Sequence, residues 1–444
     1  MSRRVVITGM GWITPLGHDI ESVWSALLQG KSGVGPVTRF DASTCPTNFA
    51  AEVRGFRLED FNADHAYYEN AGLSTKYAIA AATMAWKDAG LDRALESGSL
   101  DRTRVGVYMG AGEGSLDFEN FVRANLAGWD PATRTVQGVA WAQTATRVFD
   151  AAREIEQEPN ITVSYVAQAF GCFGPAFNCM TACAASTQAI GEAFEIIRRG
   201  DAVAMLAGGS HTMIHPLGMS GFIRLTAMSR RRDNPETAAR PFDATRDGFV
   251  MGEGAAIVVL EDLDHALARG ATPLAEIAGY GSSADAFRIT DIAPEHRGAQ
   301  TAMRQALKQA GIDPREPDAS GRPRVHYVCA HGTGTQENDK LETAAIKAVF
   351  GPLAPSIPVS SIKSMLGHLI QAAGAAGTIA CVQAIRTGFL PPTINYQNPD
   401  PNCDLDVVPN VARDLSRTGV DVCINNSAGF GGQNDVVVVR RFVP

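Results

Sequence analysis

Asn178-Cys179-Met180-Thr181-Ala182-Cys183-Ala184-Ala185-Ser186-Thr187-Gln188-Ala189-Ile190-Gly191 is the stretch whose reading decides the fold. Pro175-Ala176-Phe177 before it reads as a short strand, and Ala184 to Arg199 after it reads as a helix. Ile190, Phe194 and Ile197 recur at helical spacing and share one face. Arg198 and Arg199 suit the negative end of that helix, and Gly200 can take the left-handed conformation that stops it. Cys183 is thereby set in the turn between strand and helix N-terminus. Backbone N–H groups and the positive dipole end both favour a thiolate there. The small Ala182, Ala184 and Ala185 leave a substrate room beside the sulfur. On local pattern alone, a buried apolar cysteine remains the other reading.

Working outward, 444 residues fit two large domains or one duplicated fold. Hydrophobic residues make up 45% and charged residues 19%, a globular composition with material for a core. The net charge of −8 argues against nucleic acid, whose phosphates need a basic surface. The eight cysteines form no CxxC pair and no zinc spacing. Most lie in apolar runs, which suits reduced thiols in a cytoplasm. Met1 to Gly9 is too short an apolar run for a signal peptide and reads as a first strand. Leu369 to Ile385 is too polar and too short to span a membrane, so no integral membrane segment is expected.

Strand, glycine turn and helix then recur along the chain. Val5–Thr8 leads into Gly9-Met10-Gly11, and Ser74–Asp88 reads as a helix. Val105–Met109 leads into Gly110-Ala111-Gly112-Glu113-Gly114, which is not a dinucleotide fingerprint and reads as close backbone packing. Ser115 to Asn160 reads as a partly helical insertion. The pattern restarts with Leu274–Ala278 meeting Gly279-Tyr280-Gly281, a helix over Thr301–Ala310, and a strand Val325–Ala330. A long helix within Ser364–Arg386 ends in Arg386-Thr387-Gly388, an echo of Arg198-Arg199-Gly200. Alternating strands and helices predict an α/β fold with parallel or mixed sheets. Two related halves are expected, residues 1–265 carrying Cys183 and residues 266–444 carrying two histidines.

Those histidines stand in settings like that of Cys183. His331 follows a buried strand and precedes glycine. His368 follows Lys363-Ser364-Met365-Leu366-Gly367 and is predicted to open a helix. Cysteine and histidine far apart in sequence can form one catalytic group when the fold joins them. A hydrogen-bonded core residue is the other reading of either histidine alone. Neither has a second ligand at metal-binding spacing, so no metal is expected. Lys363 lies among small and apolar residues and reads equally as a snorkelling surface lysine. Phe430, between glycines in Gly429-Phe430-Gly431-Gly432, could gate a cavity or simply fill a turn.

Thr181-Ala182-Cys183-Ala184, Ala330-His331-Gly332-Thr333-Gly334-Thr335, Lys363 to His368 and Gly429 to Gly432 together resemble the signatures of the β-ketoacyl–acyl-carrier-protein synthases. Arg240-Pro241-Phe242-Asp243, Asp247 to Gly254 and Asn398-Pro399-Asp400-Pro401 match as well, so the likeness runs from Val5 to Val439. The chain resembles the elongating, synthase II type of dissociated fatty-acid synthesis. The resemblance implies a thiolase-like fold, two pseudo-repeated halves in five αβαβα layers. It implies a decarboxylative Claisen condensation with Cys183 as nucleophile and His331 and His368 as donors to the malonyl thioester oxygen. Lys363 would fix the local field, paired with Glu342, and Phe430 would act as gate. The Cys183 and Phe430 N–H groups would form a second oxyanion hole.

By the same resemblance the partners are acyl carrier protein and its acyl and malonyl thioesters, in a homodimer. The phosphopantetheine arm comes with the carrier, and no cofactor is needed. Arg230, Arg231 and Arg232 match part of the carrier-docking patch, or form a solvated loop. The chain also departs from the pattern. Ala428 stands where a second phenylalanine is usual, Gln433 replaces a threonine, and Glu69 and Asn70 occupy commonly basic positions. The insertion is roughly twenty residues longer than expected. A non-elongating partner subunit is the alternative, disfavoured because such subunits typically lack the nucleophile. A thiolase would need a second cysteine where Phe430 stands.

Overall fold

A computed structural model describes residues 3–112 and 117–444. The last two residues of the glycine-rich turn predicted at 110–114, and the first two of the insertion predicted at 115–160, lie outside the described residues. The first half supplies β1 (Val5–Ile13), β2 (Val105–Gly110), β3 (Ala176–Cys179), β4 (Ala204–His211) and β5 (Gly254–Asp262). The second half supplies β6 (Ala275–Ala284), β7 (Tyr327–Cys329), β8 (Val359–Ser360), β9 (Val422–Gly429) and β10 (Gln433–Arg440).

These strands run in the order β3-β2-β4-β5-β1-β6-β10-β9-β7-β8. The order is a palindrome of one five-strand pattern. In each half the strand at the centre of the sheet pairs antiparallel with its neighbour, which pairs antiparallel with the next, and the last two pairings are parallel. The halves join through a short antiparallel seam from Val5↔Ile277 to Ile7↔Ala275.

Helices complete five layers. α1 (Leu73–Asp88) covers the outer face of the first half through β1, β4 and β5. α3 (Arg297–Gln309), with α4 (Gln336–Phe350) against it, covers the second through β6 and β10. Between the two halves of the sheet lie α2 (Ala185–Arg199) and α5 (Ala373–Thr387), in contact with each other and with strands of both halves. α5 is buried along nearly its whole length, which explains why its sequence is mostly small and apolar. Gly374 permits the crossing, since a Cβ there would stand 2.0 Å from Thr187 Oγ1. Ser186 Oγ accepts the Ala375 N–H at 2.9 Å across the same junction.

Two predicted turns prove to be strand interior. β1 continues through Gly9-Met10-Gly11, and β6 through Gly279-Tyr280-Gly281. Close helix packing is the physical reason. A Cβ on Gly9 or Gly11 would sit 2.2 or 1.9 Å from α1 carbonyls, and one on Gly279 or Gly281 would sit 2.1 Å from α3 carbonyls. The insertion consists of helices Phe118–Gly128, Gly138–Val148 and Ala151–Ile155 with a small hairpin pairing Trp129 to Val136.

Candidate functional site

The two central helices enter by the same device. A 3-10 turn, Ala182–Ala184, precedes α2, and another, Ile370–Ala372, precedes α5. Each opens on a residue in the left-handed region, Ala182 at φ +48° and Ile370 at φ +43°. For β-carbon-bearing residues that conformation is strained, and strain of this kind persists only where surrounding contacts hold it. Cys183 sits in the first turn, 7% exposed. Gly429 closes over it, because a Cβ there would lie 2.8 Å from the Thr181 carbonyl oxygen and 3.2 Å from the Cys183 nitrogen.

His368 does not open α5, contrary to the sequence expectation. Its backbone bridges to the first half instead, donating to the Val250 carbonyl at 2.7 Å and accepting the Gly252 N–H at 2.9 Å. The left-handed Ile370 then delays the helix to Ala373. His368 is 2% exposed, and its Nδ1 accepts the Ile370 N–H at 3.2 Å. A ring nitrogen that accepts an N–H carries no proton, so the neutral imidazole holds its proton on Nε2. That Nε2 is buried with no partner among the described residues.

His331 lies beside it. The rings meet edge-on with centroids 5.5 Å apart, and Phe249 packs on His368 at 5.4 Å. Burial, reinforced by the Lys363 ammonium, holds both histidines well below the ordinary imidazole range, so both are neutral at pH 7.

Lys363 and Glu342 stand behind the histidines rather than in the cavity. Lys363 Nζ donates to the His331 carbonyl at 2.5 Å. Glu342 accepts the N–H groups of His331 and Gly332, both at 2.8 Å, and the Asn426 amide at 3.3 Å. The expected Lys363–Glu342 ion pair is absent among the described residues. Instead the two charges grip the His331 main chain from opposite polarities, the carboxylate on its N–H and the ammonium on its carbonyl. Burial lowers the affinity of Lys363 for its proton, and the Cys329, Glu342 and Cys183 groups oppose that. The snorkelling reading of Lys363 is excluded by its 8% exposure.

Cys183, His331, His368 and Phe430 line one cavity of about 330 Å³, together with Thr333 and Ala428. Its walls carry a thiol, imidazoles and an aromatic ring on a glycine-flanked loop. Among the described residues no cluster of histidine, cysteine or acidic side chains is placed to hold a metal. No helix is long and apolar enough to cross a membrane.

Asp247, on the cavity rim, accepts the Arg230 N–H at 3.1 Å, which sets the arginine run beside the entrance. The three arginines differ. Arg231 reaches the Thr245 carbonyl and Arg232 the Ser43 carbonyl, both at 3.1 Å. The exposed Arg230 guanidinium makes no such bond among the described residues.

Sequence reading missed a third buried histidine in this cavity, His296. It falls in Pro294-Glu295-His296-Arg297, a polar stretch that looks like an ordinary helix lead-in, and only the fold shows where it points.

Residues 2–266 match the family model described as "Beta-ketoacyl synthase, N-terminal domain", and residues 274–397 match "Beta-ketoacyl synthase, C-terminal domain". The chain is 42% identical over 439 residues to a 3-oxoacyl-acyl-carrier-protein synthase 2 of Coxiella burnetii, covering 99% of both. It is 41% identical over 441 residues to the protein of the same name in Staphylococcus aureus, again covering 99% of both. Among solved structures, a type II polyketide ketosynthase in complex with its acyl-carrier protein superposes with a TM-score of 0.84 at 32% identity over the whole of both chains. The ishigamide ketosynthase/chain length factor gives 0.82 at 36%, also over the whole of both. With family models matching both halves and full-length relatives above 40% identity, the chain belongs to the β-ketoacyl synthase family.

Proposed function

We propose that the protein is a 3-oxoacyl–acyl-carrier-protein synthase that elongates an acyl chain by decarboxylative Claisen condensation. The observation that carries this reading is the convergence of Cys183 with two neutral histidines on one cavity. The Cys183 thiolate attacks a carrier-bound acyl thioester and the carrier thiolate leaves. Malonyl carrier protein then occupies the same cavity and loses carbon dioxide. The resulting enolate carbon attacks the acyl-Cys183 carbonyl, Cys183 leaves as thiolate, and the 3-oxoacyl product departs two carbons longer.

His368 Nε2–H and His331 donate to the malonyl thioester oxygen as it gains charge. Neutral donors held in a dry site stabilise that charge without reorganising. The Cys183 and Phe430 N–H groups receive the tetrahedral oxyanion on the acyl group, and Phe430 gates entry of the chain. Lys363 and Glu342 position His331 through its main chain. No resident cofactor is required, since the phosphopantetheine arm arrives with the carrier.

The first 265 residues act as the half that bears the nucleophile and residues 266–444 as the half that bears the histidines. Among the described residues the edge strand β3 pairs only with β2, and it exposes Phe177, with Met180 beyond it, so a second copy seated there gives a homodimer. Arg230 meets the acidic carrier, and the enzyme works in the cytoplasm. Intact-mass measurement after incubation with acyl carrier proteins of varied length tests the reading. One acyl group should appear on Cys183 and be lost in Cys183→Ala, while malonyl decarboxylation persists. Condensation retained by Cys183→Ala would overturn it.

A further inference from the structure

His296 is unlike the other residues around the cavity. It is 1% exposed and stands at φ +48°, directly after Glu295 at φ +62°. Two successive left-handed residues with side chains are costly, and a packing role needs neither. Its Nε2 lies 3.0 Å from Asn434 Oδ1. The Asn434 amide is oriented by its two other bonds, from Nδ2 to Asp285 Oδ1 at 2.8 Å and to the Gly432 carbonyl at 3.1 Å. Both partners are acceptors, so Asn434 Oδ1 must accept and His296 Nε2 must donate. The His296 Nδ1 is left buried with no partner among the described residues, a second expense that a filler residue would avoid.

This chain of bonds ends on the loop that carries Phe430. The Asp285 N–H donates to the Gly432 carbonyl at 2.8 Å, and the Gly431 N–H donates to the Ile289 carbonyl at 2.7 Å. The start of α3 clamps the same point, since a Cβ on Gly298 would stand 2.1 Å from Asp285 Oδ1 and 2.3 Å from Asn434 Nδ2. A shift of Phe430 away from the cavity must move Gly432 against this network. His296 is the one member that both lines the cavity and is anchored by a strained backbone outside the loop.

We propose that His296 is a positioning residue that latches the Phe430 loop in its closed state through Asn434. The latch rests on the gate assigned to Phe430 above. A closed loop excludes water from acyl-Cys183 until malonyl carrier protein arrives. Released, the loop samples open positions and the acyl thioester hydrolyses: water oxygen bonds to the acyl carbon, the carbon–sulfur bond breaks, and Cys183 leaves as thiolate.

Two variants separate the latch from mere packing. Glycine accepts φ +48° without strain, so His296→Gly keeps the backbone and removes the donor. His296→Gln places an amide N–H where Nε2–H stood and should rescue. Each full-length protein is acylated on Cys183 with octanoyl carrier protein, and loss of the adduct in buffer is followed by intact mass. Amide hydrogen exchange over residues 429–432 is followed in parallel. His296→Gly should shorten the adduct lifetime about tenfold and raise exchange about tenfold, while His296→Gln stays within about twofold of the native protein on both. A native lifetime in His296→Gly while Phe430→Ala shortens it, or a glutamine variant behaving like glycine, overturns the latch. A native lifetime in Phe430→Ala overturns the gate and the latch with it. Failure of the native protein to acylate at Cys183 overturns the condensing function itself.

Discussion

Replacing His368 by asparagine should separate the two halves of the reaction. In the native protein His368 Nδ1 accepts the Ile370 N–H at 3.2 Å, which commits the ring proton to Nε2. That Nε2–H is buried, faces no protein acceptor among the described residues, and belongs to a ring kept neutral by burial and by Lys363. Asparagine Oδ1 can take the place of Nδ1 and keep the Ile370 bond, but nothing in asparagine reaches the Nε2 position. One donor to the enolate oxygen is lost while the local main chain is spared. A single preorganised donor in a dry site contributes about 3 kcal/mol to the transition state, on the order of a hundredfold in rate. Malonyl decarboxylation, followed as carbon dioxide release, should therefore fall on the order of a hundredfold. Acylation of Cys183 from acyl carrier protein, followed by intact mass, should change by less than about threefold, since the donors proposed for the tetrahedral oxyanion there are main-chain N–H groups. His368→Gln, which returns an N–H to the distal position, should recover part of the loss. Equal loss in both half-reactions, or an undiminished decarboxylation rate, would refute the donor role.

Other perturbations bear on the same geometry. Because His331 and His368 are both held well below the ordinary imidazole range, malonyl decarboxylation should stay flat as pH falls from 8 to 6, and a step near 6.5 would count against neutral donors. The depressed histidine bears on stability too. The unfolded chain takes up its proton near pH 6.5 and the folded one does not, so stability falls below that pH by up to about 1.4 kcal/mol per unit per histidine. Thermal unfolding of His368→Asn should accordingly depend less steeply on pH than that of the native protein. Buried Asp435 behaves oppositely: burial pushes it up to about 6, so its ionised form strains the fold above that pH. Asp435→Asn should raise the melting temperature most at pH 8, by an amount equivalent to about 1–3 kcal/mol, and the gain should vanish near pH 4. Gly429→Ala would press a methyl group to 2.8 Å from the Thr181 carbonyl and should slow Cys183 acylation about tenfold or more while leaving the histidine geometry intact. Arg230→Glu should raise KM for the carrier protein with a reduced dependence on salt, whereas Arg232→Glu should act mainly on stability through the lost Ser43 contact.

The parts of the site that the sequence made legible are those where one residue type alone suits its position. A cysteine at a strand–helix turn among alanines, and histidines in short glycine-bounded motifs, announce themselves because reactive groups need close approach. Periodicity made an α/β fold of two related halves legible, helped by the echo of Arg-Arg-Gly and Arg-Thr-Gly helix ends, which close α2 and α5 at Gly200 (φ +88°) and Gly388 (φ +75°); the five layers came only with the family resemblance. What periodicity could not show is why a glycine is there. Gly9 and Gly279 look like turn residues, yet each lies inside a strand because a helix backbone crosses over it at contact distance. That cause is tertiary and leaves no local mark.

The entry to α5 and the partner of Lys363 were misread for a related reason. Apolar spacing from Leu369 onward does fit a helix, but the His368 main chain is taken by Val250 and Gly252, which lie more than a hundred residues earlier. Opposite charges on Lys363 and Glu342 suggest an ion pair, yet the buried carboxylate is satisfied by two main-chain N–H groups at 2.8 Å. The outcome serves the chemistry better than the expected pair would. With its N–H held by Glu342 and its carbonyl by Lys363, the His331 main chain cannot rotate, and the ring edge-on to His368 is fixed without spending either imidazole nitrogen on its own support. A histidine positioned through its main chain spends neither ring nitrogen on its own support, and one positioned through Nδ1, as His368 is, keeps Nε2–H as a donor. On the proposed mechanism the pair presents its donors to one oxygen, while the charges that hold His331 stay behind the wall.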